Sequence, residues 1–404
     1  MNVWSKVFRC LTALFVLILT SIAGVTHADP GLADEDSVLV TLPEPSGPEE
    51  IGVTDLRVVD TSRRDPYVPA VDRELMVTIW YPAVDGAQAP LRPWLSPGPA
   101  RVYAETFGLP AERLTFGPSH GRLGVPADTS AGPRPIIMFS PGMGMPRELS
   151  TAHAEDLASQ GFVVVTMNHT YESAATEFPG GRIERSRLPQ TLDPGEVEAQ
   201  GEIAIAARVA DTRFVLDTLV GIAAGTNPDA DHQPLPADLA RVLDTSKIGM
   251  FGHSMGGATA AQAMRDDRRI GAAVDLDGRL WGSVVSEGLD RPFLLISGEG
   301  HDRTDVPSWQ RFWTTPPGPR LHFRLDGAQH MSFSDLPLVA EPLITAGLVP
   351  AATAAQTVGT LAPHRSLEVQ RDFLRTFFDT TLARFADPAH LPSTLLHPEM
   401  VLVP

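Results

Sequence analysis

Short apolar runs rich in β-branched residues recur along the chain. They have the length of strands and cover residues 75–80, 135–139, 161–167, 248–251, 270–276, 292–297 and 321–325. Several are apolar at every position rather than at alternate positions, which is typical of parallel strands covered by helices on both faces. The pattern therefore predicts a buried, mostly parallel sheet.

Segments with a helical period lie between these runs. Residues 202–223 and 367–385 repeat apolar positions every three or four residues. In the first segment the apolar positions are Ile205, Val209, Leu216 and Val220. Arg208 and Asp211 lie elsewhere around the same turns. Strands that alternate with helices predict an α/β fold, in which a mostly parallel central sheet carries helices on both faces.

The remaining segments define the domain organisation. Residues 85–134 are rich in Pro and Gly and interrupt the alternation, so we expect an excursion over one edge of the sheet. Residues 29–50 are rich in Pro, Glu and Asp, which is typical of a flexible linker. Neither a repeat nor a change of composition divides the chain after this linker, so we predict a single domain over residues 51–404.

The N-terminal segment has the three parts of a signal peptide. A positive start that includes Lys6 precedes an apolar run at 11–25, and the small residues Thr26 and Ala28 fit a cleavage site. The run is shorter than the ~20 residues that span a membrane. We predict that residues 1–28 are a signal peptide and that the protein is secreted, either to the extracellular space or to the cell envelope. An uncleaved anchor is the alternative.

The charge balance excludes some classes of partner. The chain has 404 residues, with 49 Asp and Glu against 32 Lys and Arg, which gives a net charge of −17. An acidic chain repels phosphate backbones and offers no basic stripe, so we expect no nucleic-acid partner. Strong attraction to anionic lipid is disfavoured for the same reason. An apolar fraction of 43% is enough for a sizeable core.

Cysteine chemistry is excluded for the mature chain. The single cysteine, Cys10, lies inside the predicted signal peptide. The mature chain would have no disulfide, no cysteine nucleophile and no thiolate metal site. No cluster of His and Asp has metal-ligand spacing, so we expect neither a metal nor a cofactor. Any covalent chemistry therefore depends on serine.

The strongest chemical motif is Gly-His-Ser-Met-Gly-Gly at residues 252–257. It follows the strand run 248–251 and opens a helical stretch at 258–264, which is the context of a nucleophile elbow. Glycines flank the serine because a side chain would clash across so tight a turn. We predict that Ser254 is a nucleophile, and that His253 packs beneath the elbow rather than acting as a base.

A second Gly-rich loop supplies a candidate oxyanion hole. Residues 139–144 follow a strand directly and read Phe-Ser-Pro-Gly-Met-Gly. In this type of site, one backbone N–H comes from such a loop and another comes from the residue after the nucleophile. We assign these two N–H groups to Met143 and Met255.

The general base is expected late in the chain, because the order in this fold is serine, acid, histidine. His330 follows the strand run 321–325 through a turn, where a loop histidine can reach back over the sheet. The competing histidines are His301, His322 and His364. His322 lies inside a strand run and His364 precedes a helix, so we choose His330.

Three aspartates are candidates for the residue that orients the base. Asp277 ends the strand run 270–276 and is followed by a glycine that permits a turn. Asp302 follows the next strand run, and Asp275 lies two residues before Asp277, about 6–7 Å deeper along the strand. The spacing favours Asp277 and leaves the other two open.

These motifs resemble the bacterial branch of the platelet-activating-factor acetylhydrolase-like α/β-hydrolases. The matching segments occur in the family order across residues 55–385, at positions 73–77, 80–83, 139–144, 252–259, 274–278 and 330–335. The resemblance implies an α/β-hydrolase catalytic domain and serine esterase activity, and it aligns the family's acid with Asp277. Pro141 replaces a histidine of the animal acetylhydrolases, which weakens the transfer of their phospholipid preference.

The combined prediction is a secreted serine ester hydrolase that forms an acyl-enzyme. Its substrates would be short-chain acyl, lipid or phospholipid-like esters, and an acyltransferase with the same triad, a polyester hydrolase and a non-catalytic binding protein are alternatives. We expect a monomer that has at most transient contact with a lipid surface. Four residues are candidates for a substrate pocket or for core packing: His169, Tyr171, Trp281 and Phe333.

Overall fold

The computed structural model describes residues 37–189, 194–316, 318–383 and 397–404. The strands are β1 (Val38–Val40), β2 (Ile51–Arg64), β3 (Asp72–Pro82), β4 (Leu91–Pro93), β5 (Leu114–Phe116), β6 (Pro118–Leu123), β7 (Arg134–Ser140), β8 (Val163–Met167), β9 (Ala175–Phe178), β10 (Arg182–Arg185), β11 (Leu243–His253), β12 (Ile270–Leu276), β13 (Phe293–Gly298), β14 (Arg320–Leu325) and β15 (Met400–Leu402). The α-helices are α1 (Pro97–Phe107), α2 (Thr151–Ser159), α3 (Pro194–Ala223), α4 (Leu239–Val242), α5 (Met255–Asp266), α6 (Val284–Glu287), α7 (Pro307–Trp313), α8 (Leu336–Thr345), α9 (Ala351–Val358) and α10 (Pro363–Phe378).

Most of the strands form one twisted sheet. Their order across it is β15-β14-β13-β12-β11-β7-β8-β3-β2-β6-β4. The segment from β14 to β8 is parallel throughout, whereas β3 pairs antiparallel with β8 and with β2. The predicted α/β-hydrolase fold is confirmed, and every predicted strand run overlaps a strand of this sheet.

Helices cover both faces of the sheet because its central strands are apolar on both sides. On β11, Met250 packs into the core layer that includes α3 and α5, while the adjacent Phe251 packs into the opposite layer with α2 and α10. On β7, Met138 and Phe139 divide between the two layers in the same way. This alternation follows from the two-residue period of a strand.

The edge of the sheet differs from the sequence prediction. Residues 85–134 include β4 and β6, which pair with each other and extend the sheet beyond β2. We predicted that residues 85–134 pass over the edge of the sheet, but β4 and β6 themselves form that edge. The short strand β5 lies in the same region and pairs in parallel with β1.

The predicted linker is wrong for the residues that the structure describes. Residues 1–36, which include the predicted signal peptide, lie outside the described residues. The following segment forms β1, buries Val40 and Leu42, and donates a 3.0 Å hydrogen bond from the Gly47 N–H to Ser159 Oγ. Two apolar side chains anchor this segment to the domain despite its Pro-rich composition. Helices of the described residues are all too short or too polar to span a membrane.

Helix α3 also departs from its predicted pattern. Arg208 and Asp211 are buried, although the apolar periodicity left them outside the apolar stripe. Val220, which the pattern placed on the apolar face, is 40% exposed. The reason is that the buried guanidinium and carboxylate are paired with other buried charges, which lowers the cost of removing them from water.

Candidate active site

Ser254 occupies a strained turn between β11 and α5. Its backbone angles are φ 57° and ψ −122°, a conformation that non-glycine residues rarely adopt. The Ser254 N–H donates a 2.9 Å hydrogen bond to the carbonyl of Leu276, which ties the turn to the end of β12. The Ser254 side chain is therefore held at the carboxyl edge of the parallel strands, where ligands bind in open α/β sheets.

The glycines of the motif are required by sterics. A Cβ atom at Gly256 would lie 1.9 Å from the carbonyl oxygen of Ser140, at the end of β7. A Cβ atom at Gly252 would lie 2.2 Å from the backbone oxygen of Gly256. The elbow and the loop after β7 are therefore in backbone contact, and neither position accommodates a side chain.

Three side chains form one continuous hydrogen-bonded chain at this edge. Ser254 Oγ lies 3.0 Å from His330 Nε2, and His330 Nδ1 lies 2.7 Å from Asp277 Oδ2. His330 begins a 3₁₀ turn at His330–Phe333, which follows β14. Because Asp277 accepts a hydrogen bond from Nδ1, the neutral tautomer of His330 carries its proton there, and the Nε2 lone pair can accept the serine proton.

Asp277 accepts the largest number of hydrogen bonds of the three candidate acids. Its side chain is buried, and besides His330 it accepts from the Gly298 N–H at 2.9 Å and from His301 Nδ1 at 3.0 Å. Burial alone would raise the pKa of this carboxyl, but the hydrogen bonds and charges of His301 and His330 lower the pKa below its usual value. Asp277 is therefore an anion at neutral pH.

The other two aspartates have different environments. Asp302 is partly exposed, and its carboxylate accepts from the N–H and the hydroxyl of Thr304 in a local turn. Asp275 is fully buried, accepts from the Gly278 N–H at 2.8 Å, and has its pKa raised well above the usual value by burial. Of the three aspartates, Asp277 is the one that hydrogen-bonds to His330, and it is also the one that the sequence favoured.

The competing histidines are also accounted for. His301 contacts the same carboxylate as His330, which the sequence did not predict. Burial lowers the pKa of His301, but the hydrogen bond and charge of Asp277 outweigh burial, so the net pKa of His301 is raised. His322 is bound to Ser297 Oγ, and His364 is exposed. Of these histidines, only His330 has a hydrogen bond to Ser254.

His253 packs beneath the elbow, as the sequence indicated. It is 2% exposed, and its Nε2 lies 2.9 Å from the carbonyl oxygen of His330. Burial lowers its pKa to about 3, so the ring is neutral and can donate an N–H to that carbonyl. His253 therefore supports the backbone of His330 without reaching Ser254.

The two predicted oxyanion donors belong to the two segments that are in backbone contact, the elbow and the loop after β7. Met255 is the first residue of α5, so its N–H has no acceptor within the helix. Met143 lies in the loop after β7, where the Met145 N–H donates to the Gly142 carbonyl at 3.0 Å and closes a tight turn. Within the described part of the chain, no group of three or more His, Cys, Asp or Glu residues could hold a metal.

The predicted pocket residues separate into two groups. His169 is fully buried between Ser140 Oγ at 2.9 Å and Asp211 at 2.9 Å, and Phe333 is fully buried in an apolar core layer. Both are enclosed by protein contacts, which favours the core-packing alternative over pocket lining. Tyr171 and Trp281 are each 7% exposed, and their role stays a prediction.

Sequence reasoning missed a buried polar cluster next to the oxyanion loop. Arg208 and Glu172 form a buried ion pair, and Arg208 also donates to backbone carbonyls of the loop. One signal was available, because Arg208 follows Ile205 by three positions, a spacing that makes two side chains neighbours on a helix surface. A charged residue at that position of a core helix indicates a buried partner.

The chain is similar to several known proteins. A family model described as platelet-activating factor acetylhydrolase, isoform II, matches residues 37–379. A probable 1-alkyl-2-acetylglycerophosphocholine esterase from Arthroderma benhamiae is 28% identical and aligns over 84% of this chain and 88% of its own. A platelet-activating factor acetylhydrolase from Cavia porcellus is 26% identical over 75% and 71% of the two chains. The solved structure of a ferulic acid esterase from Streptomyces cinnamoneus is 33% identical, with a TM-score of 0.73, and the match covers 90% of this chain and 99% of that one.

Proposed function

The chain belongs to the platelet-activating factor acetylhydrolase, isoform II, family and is a carboxylic ester hydrolase, and from this premise we propose that Ser254, His330 and Asp277 are its catalytic triad. The observation that supports the proposal is the chain of hydrogen bonds of 3.0 Å and 2.7 Å that joins these three side chains. A serine hydroxyl is activated when it is hydrogen-bonded to a base and that base is hydrogen-bonded to an orienting acid.

In the acylation step, Ser254 Oγ attacks the carbonyl carbon of the ester while its proton moves to His330 Nε2. Asp277 accepts from Nδ1 and stabilises the imidazolium that forms. The negative charge on the former carbonyl oxygen is stabilised by the N–H groups of Met143 and Met255. The tetrahedral intermediate then collapses, the carbon–oxygen bond of the alcohol breaks, and His330 donates its proton to the leaving alkoxide.

In the deacylation step, water replaces the alcohol. His330 takes a proton from the water, the resulting hydroxide attacks the acyl-enzyme, and Ser254 leaves with the proton that His330 returns. The products are a carboxylic acid and the free enzyme, so hydrolysis requires neither a metal nor an organic cofactor. An acyltransferase would use the same steps with an alcohol in place of water.

We propose short-chain acyl esters as the substrates, including those of lipid or phospholipid-like alcohols. The names of two relatives, an acetylglycerophosphocholine esterase and an acetylhydrolase, support a small acyl group. The name of the structural relative supports an aromatic acyl group as the competing choice. Rates across an ester chain-length series, together with a 2-acetyl phospholipid, a feruloyl ester and a polyester film, separate these substrates, and product analysis with added alcohols detects acyl transfer.

We also propose that the protein is exported and works as a monomer outside the cytoplasm. Support comes from the positive, apolar and small-residue order of the first 28 residues. In this proposal residues 1–28 are removed and the remaining chain carries one catalytic domain.

The nucleophile is tested by covalent labelling. A fluorophosphonate probe is expected to modify Ser254 and no other serine, as read by peptide mapping. Ser254→Ala should fold normally, because a hydroxyl makes little packing contact, and should lose about 10⁴-fold or more in kcat. Labelling of a different serine, or an active Ser254→Ala variant, would refute the assignment.

A further inference from the structure

One buried arginine binds the loop that carries the proposed oxyanion donor Met143. Arg208, on α3, is 1% exposed. Its guanidinium donates to the Pro141 carbonyl at 2.5 Å, to the Gly142 carbonyl at 3.1 Å and to Ser140 Oγ at 3.2 Å. One planar cation therefore holds three consecutive residues of the loop.

The Gly142 carbonyl accepts from Arg208 and also from the Met145 N–H at 3.0 Å, and both bonds affect the direction of a catalytically relevant N–H. The carbonyl of Gly142 and the N–H of Met143 belong to the same peptide group. In a planar trans peptide these two bonds point in opposite directions. A carbonyl held towards Arg208 therefore keeps the Met143 N–H directed away from Arg208, and a rotated peptide would withdraw that donor from the site.

Two further contacts hold the beginning of the loop. The Ser140 carbonyl is pressed against Gly256 of the elbow, where an added Cβ would lie only 1.9 Å away. Ser140 Oγ also contacts His169 Nε2 at 2.9 Å. The loop is thus clamped to the nucleophile elbow at Ser140 and held by Arg208 at the next two carbonyls, which leaves little freedom for the peptide before Met143.

Arg208 is itself held by a buried carboxylate. Its Nε lies 2.9 Å from both carboxylate oxygens of Glu172, and its Nη2 also contacts Glu172. A buried ion pair adds little net stability compared with apolar residues of similar volume. Its planar, bidentate geometry does, however, fix the direction of the guanidinium. Stability alone therefore does not account for this pair beside the site.

We propose that Arg208 is a positioning residue for the oxyanion hole, and that Glu172 orients it so that the Met143 N–H faces the developing oxyanion. The inference rests on the proposed function, in which Ser254 forms an acyl-enzyme. Arg208 does not touch the reacting atoms in this proposal. Its effect reaches them through the Gly142–Met143 peptide.

The test uses a double variant that avoids a buried unpaired charge. Arg208→Met with Glu172→Leu replaces the ion pair by apolar side chains, so no buried charge is left unpaired and the protein should fold. The Pro141 and Gly142 carbonyls and the Tyr67 hydroxyl each lose a partner, so a moderately lower melting temperature is expected. Removal of one oxyanion donor typically costs 10²–10³-fold in kcat. Because here the donor is misdirected rather than removed, we expect kcat to fall by about 10- to 100-fold while KM changes by less than about twofold. Arg208→Lys, which retains a charge and can reach one carbonyl, should recover part of the loss.

A boronic acid inhibitor supplies a readout that a purely structural role would not change. Its tetrahedral adduct with Ser254 places an oxygen where the oxyanion forms, so its affinity should fall by the same factor as kcat/KM. Arg371→Met is the matched control, because Arg371 is a buried arginine that donates to the Ala152 and Glu44 carbonyls away from the loop. It should reduce stability and leave kcat and inhibitor affinity unchanged.

Each result has a defined meaning. A folded double variant with wild-type kcat and wild-type boronate affinity would overturn the proposal, as would an increase in KM at constant kcat. If the double variant does not fold, the same two measurements on Arg208→Lys decide, and unchanged values there overturn it too. Failure of the proposed function is distinguishable, because the wild type itself would then show neither fluorophosphonate labelling nor boronate inhibition.

Discussion

Replacement of Asp335 by Asn should make the stability of this protein less dependent on pH. Asp335 is fully buried, and its Oδ2 accepts from the Ala152 N–H in the first turn of α2 at 3.3 Å. Its Oδ1 has no partner among the described residues. Two effects oppose each other here, because burial favours the neutral acid whereas the N-terminus of a helix favours the carboxylate.

Burial is the larger effect, and it raises the pKa of Asp335 to about 7 despite the Ala152 N–H and the nearby Arg371. An aspartate in the unfolded chain has a pKa of about 3.9. Between these two values the folded protein binds a proton that the unfolded chain does not, so stability falls as pH rises, by about 1.4 kcal/mol per pH unit. The total loss is about 4 kcal/mol above pH 7.

Asn carries no charge at any pH, so Asp335→Asn removes this loss. The free energy of unfolding of the variant, minus that of the wild type, should increase by about 3 kcal/mol between pH 5 and pH 8. Any fixed cost of the buried amide group is the same at both pH values and cancels in this comparison. Urea unfolding followed by tryptophan fluorescence at several pH values measures the difference.

The matched control is Asp302→Asn, because the Asp302 carboxylate is partly exposed in a local turn. Its stability difference should change little over the same pH range. A difference for Asp335→Asn that stays constant with pH would refute the reasoning. If the helix N-terminus instead outweighs burial and Asp335 is ionised in the folded protein, the difference should be constant above about pH 5 and should decrease with rising pH only below that value.

Three further predictions concern the site and the N-terminus. Asp277→Asn should lower kcat by about 10⁴-fold with little effect on substrate binding, because the amide favours the wrong imidazole tautomer. Asp302→Asn should stay active, and the reverse result in a kinetic assay would reassign the acid. Gly256→Ala should abolish labelling by fluorophosphonate and lower the melting temperature, because the added Cβ would lie 1.9 Å from the Ser140 carbonyl oxygen. A stable variant that is still labelled would contradict the elbow geometry. N-terminal sequencing of the exported protein should begin directly after Ala28, and an intact N-terminus on a membrane-bound product would instead support the anchor.

The sequence was sufficient for features that depend on local sterics and on period. Strand runs that are apolar on both faces can only be buried between two layers of helices, so the α/β fold followed from the pattern. The elbow is likewise local, because its two glycines and Ser254 lie within five consecutive positions between a strand and a helix. The placement of His330 after the last parallel strand followed from the strand order.

Features that depend on contacts between distant segments were decided only by the tertiary structure. Asp277 and Asp302 follow neighbouring parallel strands, and the contacts of His330 distinguish them. Arg208 and Glu172 are 36 positions apart, and the composition of neither segment indicates that they meet under the oxyanion loop. Residues 37–50 were misread as a linker because their burial depends on β5 and α2, which lie far along the chain. In each case the energy comes from pairing or burial across the fold, which a local pattern does not encode.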